Sequence, residues 1–339
     1  MGEPRHKASS GKLVRIFEDL RPPSNPERSA SKFTVLQWNV LADGLAQFGD
    51  FEKADKAALS WEARAPLLLA EVLEADADLV FLQECNRYSD FFEPELRVRG
   101  YAGCFWPKPC SPAEQYGFPC DGCAIFYRRE RLEAVSKANG RPFESKDGSS
   151  SKQGSLQVLL RERRSGCLLL AACCHLKAKE SGENDVVRES QAAQLMERLA
   201  AAAGAACGLA TPSCNGAGPA APLVLLGGDF NTTPSAASCR VVAEHPLSLS
   251  SLWAEHAQPC SKADGACAGA GEPFTTWKFR PGEESRRISD YIWFSRDARL
   301  APVRRWRALT PGEIGLAGLP TSRYPSDHVA LCVVFELLA

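Results

Sequence analysis

The sequence predicts an α/β fold, a four-layered sandwich in which two mixed β-sheets pack together and helices cover their outer faces. Two observations carry that prediction. Apolar runs of strand length, bounded by polar or turn-forming residues, recur from Phe33 to Phe335. Between some of them stand longer stretches with helical periodicity. No repeat period is visible, so one domain over residues 33–338 accounts for the pattern better than an array does.

The elements follow in order. Residues 1–32 are polar, with Pro22, Pro23 and Pro26, and read as a flexible leader in which Lys12–Leu20 forms a short docked helix. Phe33–Val40 is rich in β-branched and aromatic residues and reads as the first strand. Ser60–Leu73 is helical, with Ser60 as N-cap and Trp61, Leu67, Leu68, Val72 and Leu73 on one face. Pro66 should kink that helix or move its start to about Ala65. Asp78–Leu82 is nearly continuous apolar sequence, as a strand buried on both faces requires. Further strands are expected at Cys123–Tyr127, Leu156–Arg161, Leu168–His175, Leu223–Gly227, Tyr291–Phe294 and Val329–Phe335, with helices at Val186–Ala203 and Ser235–Glu244. Two Ala/Gly-rich stretches, about 204–221 and 261–272, read as surface insertions.

Bulk composition narrows the partners. With 40 basic and 41 acidic residues the net charge is −1, so there is no basic surplus for gripping a long polyanion. A small or short anionic substrate fits better. The 14 cysteines have no framework spacing, and Cys120-Asp121-Gly122-Cys123 lacks the second pair that a zinc site needs. Met1–Lys32 holds no secretory core, so reduced thiols are expected. No apolar run reaches the ~20 residues of a membrane helix. The expected protein is a cytoplasmic monomer, or a mitochondrial one should an extension precede Met1.

The candidate site lies at strand ends. Leu223–Gly227 runs into Gly228-Asp229-Phe230-Asn231, where residues two apart on extended backbone aim a carboxylate and an amide at one point. Gly227 and Gly228 read as allowing a ligand to approach closely. Alone, this stretch suits a turn equally well. Glu84 repeats the arrangement after Asp78–Leu82, and a lone carboxylate there suits Mg²⁺, which prefers oxygen donors. Asn39 ends the first strand, where it can touch that ion or orient Glu84. His175 closes another strand, Asp290 precedes one, and Asp327-His328 opens the last. A structural histidine would explain any one of these; six polar strand ends together point to an active site.

In that order Gln37-Trp38-Asn39, Leu82-Gln83-Glu84, His175, Gly228-Asp229-Phe230-Asn231, Ser289-Asp290-Tyr291 and Ser326-Asp327-His328 resemble the motifs of the endonuclease/exonuclease/phosphatase family, with its deoxyribonuclease I-like fold. Phe105-Trp106-Pro107-Lys108-Pro109, Asp121-Gly122-Cys123-Ala124, His175-Leu176-Lys177-Ala178-Lys179, Thr275-Thr276-Trp277-Lys278 and Tyr324-Pro325-Ser326-Asp327-His328 resemble its nocturnin branch, which is related to the deadenylases. Ser289 departs from that pattern, which has an apolar residue before the Asp.

The resemblance implies a Mg²⁺-dependent phosphohydrolase with one or two ions, Mn²⁺ serving as a substitute. Its nocturnin side implies removal of the 2′-phosphate of NADP⁺ or NADPH; its deadenylase side implies 3′-exonucleolytic shortening of poly(A) RNA. Glu84 with Asn39 would hold the metal, Asp229 would activate water, and Asn231 and His175 would bond the phosphoryl group. His328, held by Asp290, would act as imidazolium, with Asp327 supporting the metal or its waters. Lys108, Lys177 and Arg280 are candidates to grip a dinucleotide's phosphates, and Trp277 or Phe105 to stack on adenine. A non-catalytic scaffold on the same fold would be expected to lack Glu84 or the histidines. A lipid or inositol-phosphate phosphodiesterase is the remaining family alternative, but no amphipathic membrane-binding stretch accompanies it.

Overall fold

The apolar runs pair into two seven-stranded sheets and one short ribbon. These come from a computed structural model, which describes residues 11–20, 31–209, 220–254 and 273–338. In chain order the strands are β1 (Phe17–Asp19), β2 (Ser31–Asn39), β3 (Leu79–Gln83), β4 (Tyr101–Pro107), β5 (Gly122–Arg128), β6 (Leu132–Ala134), β7 (Asn139–Glu144), β8 (Ser150–Glu162), β9 (Leu168–His175), β10 (Leu223–Asp229), β11 (Leu249–Ser250), β12 (Thr276–Arg280), β13 (Glu283–Arg287), β14 (Asp290–Ser295), β15 (Leu300–Trp306) and β16 (Leu331–Leu337). The helices used below are α1 (Asp43–Phe48), α2 (Trp61–Glu74), α3 (Glu93–Arg97), α4 (Gly182–Ala206) and α5 (Ala237–Glu244).

The first sheet has the order β1-β15-β16-β2-β3-β5-β4; the second runs β11-β14-β10-β9-β8-β6, with β7 also on β8. Both are mixed: β2–β3 and β9–β10 are parallel, and the other pairs are antiparallel. The two-residue alternation of β2 and β3 builds the layers. Phe33, Val35, Leu79 and Phe81 join Leu156, Leu170 and Ile292 in one core between the sheets. Leu36, Trp38, Val80 and Leu82 face outward and meet Leu68 and Val72 of α2 and Leu96 of α3. On the far side α4 lays Ala192, Leu195, Met196 and Leu199 on the second sheet. The expected four-layered α/β sandwich is the one observed.

Ser60 caps α2 as expected, its hydroxyl accepting from Ala63 N at 3.3 Å. Pro66 does not shorten the helix, which runs through it from Trp61. Pro66 is exposed, so the carbonyl left without its N–H partner faces water. The leader also differs from expectation. No helix forms at Lys12–Leu20; Phe17–Asp19 instead pairs antiparallel with β15 and forms the edge of the first sheet. Leu13 is buried, and Lys12 pairs with buried Glu71 of α2 at 2.7 Å. Of the two Ala/Gly-rich stretches, residues 204–209 continue α4 and a following 3₁₀ turn. Residues 210–219 and 261–272 lie outside the described residues.

Gly227 and Gly228 serve packing rather than ligand approach. A Cβ on Gly227 would stand 2.4 Å from the Phe81 ring of the opposite sheet, and one on Gly228 2.5 Å from Cys174 Sγ. Both lie within β10; the missing side chain of Gly227 lets the two sheets close, and that of Gly228 leaves room for Cys174 on the adjacent strand β9.

Candidate active site

Register assembles the site. Asp229 is paired with His175 across β9–β10 and with Asp290 across β10–β14, so three strand-end residues share one row of the second sheet. Asn39 pairs with Gln83 across β2–β3, which sets Glu84 one residue beyond the matching row of the first sheet. The Asp327-His328 stretch joins them through its approach to β16. Ser326 Oγ donates to Asn39 O at 2.7 Å, and the Trp38 indole donates to His328 O at 2.7 Å.

Asn39 spans the two sheets. Its Nδ2 donates to Glu84 Oε1 at 3.1 Å and to Asp229 Oδ2 at 3.0 Å, while its Oδ1 accepts from Leu41 N at 3.0 Å. Two carboxylates can only accept and a backbone N–H can only donate, so the partners fix the amide's orientation. Of the two roles open to Asn39, the hydrogen bonds show the orienting of Glu84; Oδ1, with one hydrogen bond accepted, keeps a lone pair for a metal. Glu84 Oε2 accepts from Ala42 N at 3.1 Å. Leu41, Glu84 and Asn231 all hold positive φ (57°, 54° and 51°), a region costly for such residues, and all three lie in this site. Asn231 N–H donates to Asp229 Oδ1 at 2.9 Å, and its side-chain amide donates to Leu176 O at 3.2 Å.

Asp229 is buried and flanked by two histidines. His175 Nε2 is 3.6 Å and His328 Nε2 3.8 Å from Asp229 Oδ2. Burial, then the neighbouring Asp290 charge, pushes the Asp229 carboxyl up to about 6. The histidines are driven apart. Burial, with the positive charges of Lys108, His328 and Lys278, holds His175 far below its usual value, so it is neutral. Burial works against charge on His328 too, but Asp290, Asp229 and Asp327 outweigh it and raise the imidazolium to about 9. His328 Nδ1 lies 2.9 Å from Asp290 Oδ2. Asp290 is saturated: Oδ2 also accepts from Thr275 at 2.6 Å and Ser289 at 3.0 Å, and Oδ1 accepts from Gln37 at 3.2 Å. Gln83 holds Gln37 in turn at 2.7 Å. Ser289, the departure noted in the sequence, therefore adds a donor to this carboxylate.

Asp327 holds two cations. Lys278 Nζ is 2.7 Å and Arg280 4.0 Å from its Oδ2. Burial would raise this acid; Lys278, His328 and Arg280 overcome that and hold it far below the usual carboxylate range. Arg64, buried in α2, donates to Pro325 O (2.7 Å), Val40 O (2.7 Å) and Leu41 O (2.5 Å), tying the loops that carry Asn39 and His328.

The candidate substrate residues divide. Lys108 is buried and paired with Asp121 at 2.6 Å, so it supplies field to the site rather than an open grip. Burial would depress its ammonium, but Asp121 and then Glu84 raise it. Lys177 is half-buried beside His175, and its ammonium meets no carboxylate among the described residues. Arg280 lies half-exposed, 3.7 Å over the Phe51 ring. Trp277 is no base platform. It is 4% exposed, packs against Phe274 and Phe279, and donates its indole N–H to Glu284 at 2.8 Å. Phe105 is stacked on Tyr88 with centroids 4.8 Å apart. Lys278, Thr275, Gln37 and Arg64 were not singled out by sequence. The first three lie inside quoted motifs, whereas Arg64 reads as an ordinary helix cation.

The family model described as the endonuclease/exonuclease/phosphatase family matches residues 36–328, from the strand that bears Asn39 to His328 itself. The chain belongs to the endonuclease/exonuclease/phosphatase family. Within the family it is 34% identical to mouse nocturnin over 326 residues, covering 95% of this chain and 69% of that protein. It is 26% identical to the CCR4-Not complex 3′-5′-exoribonuclease subunit Ccr4 of Aspergillus fumigatus, over 93% of this chain and 52% of the relative. The solved human nocturnin catalytic domain with a bound sulfate anion superposes with a TM-score of 0.70 at 28% identity, covering 95% of this chain and 97% of that one. The chain is a phosphoester hydrolase of this family, which is metal-dependent.

Which residues suit the metal follows from the donors left open. Ligand atoms of Asp229, Asp290 and His328 lie within 4.8 Å of one another. Asp290, however, already accepts four hydrogen bonds, and His328 Nδ1 is spent on it. Glu84 keeps unshared oxygen lone pairs beside Asp229, and an all-oxygen donor set fits a hard cation.

Proposed function

We propose that the chain removes the 2′-phosphate of NADP⁺ or NADPH, leaving NAD⁺ or NADH, with Mg²⁺ held at Glu84. The observation that carries the reading is the pair of cations on Asp327. Lys278 and Arg280 converge on one carboxylate next to His328, and Lys177 follows His175 by two residues. Such a short cationic group suits one phosphomonoester and its nucleotide better than a long strand. The net charge of −1 accords with it, as does the sulfate anion bound by the human nocturnin domain.

The roles follow from the environments. The metal, when bound, neutralises charge on the phosphoryl oxygens. Asp229, raised to about 6 and set among Asn39, Asn231 and the histidines, is placed to accept the proton of the attacking water. Neutral His175 keeps one N–H to donate. His328, charged through Asp290, stabilises the developing negative charge. The cytoplasm is the proposed location.

A second reading has one support: the Aspergillus relative bears the name of a 3′-5′-exoribonuclease. One assay separates the two. Phosphate release from NADPH, with NADH as blank, is compared with shortening of an oligo(A) strand. Release from NADPH is expected; oligo(A) shortening without it would replace this reading by the deadenylase one.

A further inference from the structure

Among the described residues, two aromatic side chains are exposed: Phe48 at 49% and Tyr116 at 39%. They lie on each other, centroids 4.5 Å apart and planes 10° from parallel. Phe118 covers an edge of Phe48, with centroids 6.2 Å apart at 59°. An exposed π-face beside a phosphate site is a surface on which a flat heterocycle gains contact and loses little entropy.

Both rings are anchored to the site. Phe48 is the last residue of α1, and the helix starts after Ala42, whose N–H holds Glu84. The next residue, Gly49, has no space for a Cβ, which would stand 2.4 Å from an Arg280 guanidinium nitrogen. Tyr116 ends the 3₁₀ turn Pro112–Tyr116, which hangs from Ser111; that hydroxyl donates to Asp121, the partner of Lys108. The stack is thus tied to Glu84 at one end of α1 and borders Arg280 at the other. Six helical residues rise about 9 Å, comparable to the reach from phosphate to base within a nucleotide.

We propose that the Phe48–Tyr116 stack is the platform for the nucleobase of the nucleotide whose phosphate enters the site. The inference rests on the nucleotide reading above. A heterocyclic base fits because an exposed aromatic pair favours another flat π-system laid against it; a sugar phosphate or a lipid brings no aromatic ring.

Two arms test it. In the first, Phe48→Trp carries a reporter indole, and its fluorescence is followed during titration with adenosine 2′-monophosphate and, separately, inorganic phosphate. Quenching by the nucleotide and none by phosphate is expected; equal responses, or none to the nucleotide, overturn the platform whether or not the protein turns NADPH over. In the second, Phe48→Ser and Tyr116→Ser should raise KM for NADPH roughly 5- to 100-fold, the range of one lost stacking contact, with kcat far less affected and Phe48→Tyr restoring KM. An unchanged KM for NADPH overturns the platform. Quenching by the nucleotide together with no release from NADPH by the unaltered protein leaves the platform standing and overturns the NADPH reading instead.

Discussion

Nδ1 of His328 lies 2.9 Å from Oδ2 of Asp290, a carboxylate anchored by Thr275, Ser289 and Gln37. The charge of Asp290 is the first of the influences that overcome burial and lift His328 to about 9. The protonated form of His328 and the ionised form of Asp229 are the active ones in the proposed mechanism, so kcat/KM should hold between about 6 and about 9, fall as pH drops through the Asp229 value and fall as pH rises through the His328 value. Asp290→Asn removes the raising charge and should move the alkaline limb to lower pH. A limb that stays in place would separate His328 from the reaction.

Asp229→Ala should lower kcat at least ~10²-fold, the usual scale for a removed proton acceptor. Circular dichroism should show the fold intact, since the two sheets retain their core. A near-normal rate of phosphate release would refute the proposed role.

Chelation with EDTA should abolish phosphate release, and Mg²⁺ should restore it, with Mn²⁺ as a substitute. Glu84→Ala should shift the restoring titration to higher Mg²⁺. Activity indifferent to chelation would remove the metal from the reaction.

Lys278→Ala and Arg280→Ala should each raise KM for NADPH about 10-fold, as expected for one lost charge-assisted contact. Trp277→Phe provides the contrast: as a core residue it should lower the melting temperature and leave KM near its starting value. The reverse pattern would put Trp277 back at the substrate.

Arg64→Met should destabilise by about 2 kcal/mol or more, because the carbonyls of Pro325, Val40 and Leu41 lose their donor inside the protein. Burial already lowers this guanidinium to about 10. Equilibrium unfolding in urea measures the change; an unaltered midpoint would mean that water replaces the side chain.

Much of this was legible in the sequence because chemistry sits where apolar runs stop. Leu168–Cys174 ending on His175, and Leu223–Leu226 followed by Asp229, show a buried strand and its polar end in one line of text. Phe17–Asp19 at the sheet edge and its half-buried neighbour Leu300–Trp306 gave no such signal, since both are of mixed composition without a clear two-residue period. Trp277 was misread because a motif position does not say which face of a ribbon a side chain takes. Asn39 carried two readings, and its bonds to Glu84 and to Asp229, 190 residues away, appear only once the sheets are packed. Arg64 offered nothing at all to sequence reasoning, since the carbonyls it serves lie on two distant loops.

That one amide of Asn39 reaches Glu84 from the first sheet and Asp229 from the second has a further consequence. Turnover becomes a ruler for the alignment of the sheets. A slip by a single residue, too small to change helix or strand content, would part the two carboxylates. Variants at Phe81 or Gly227, deep between the layers, should therefore silence the enzyme while its spectrum still looks native.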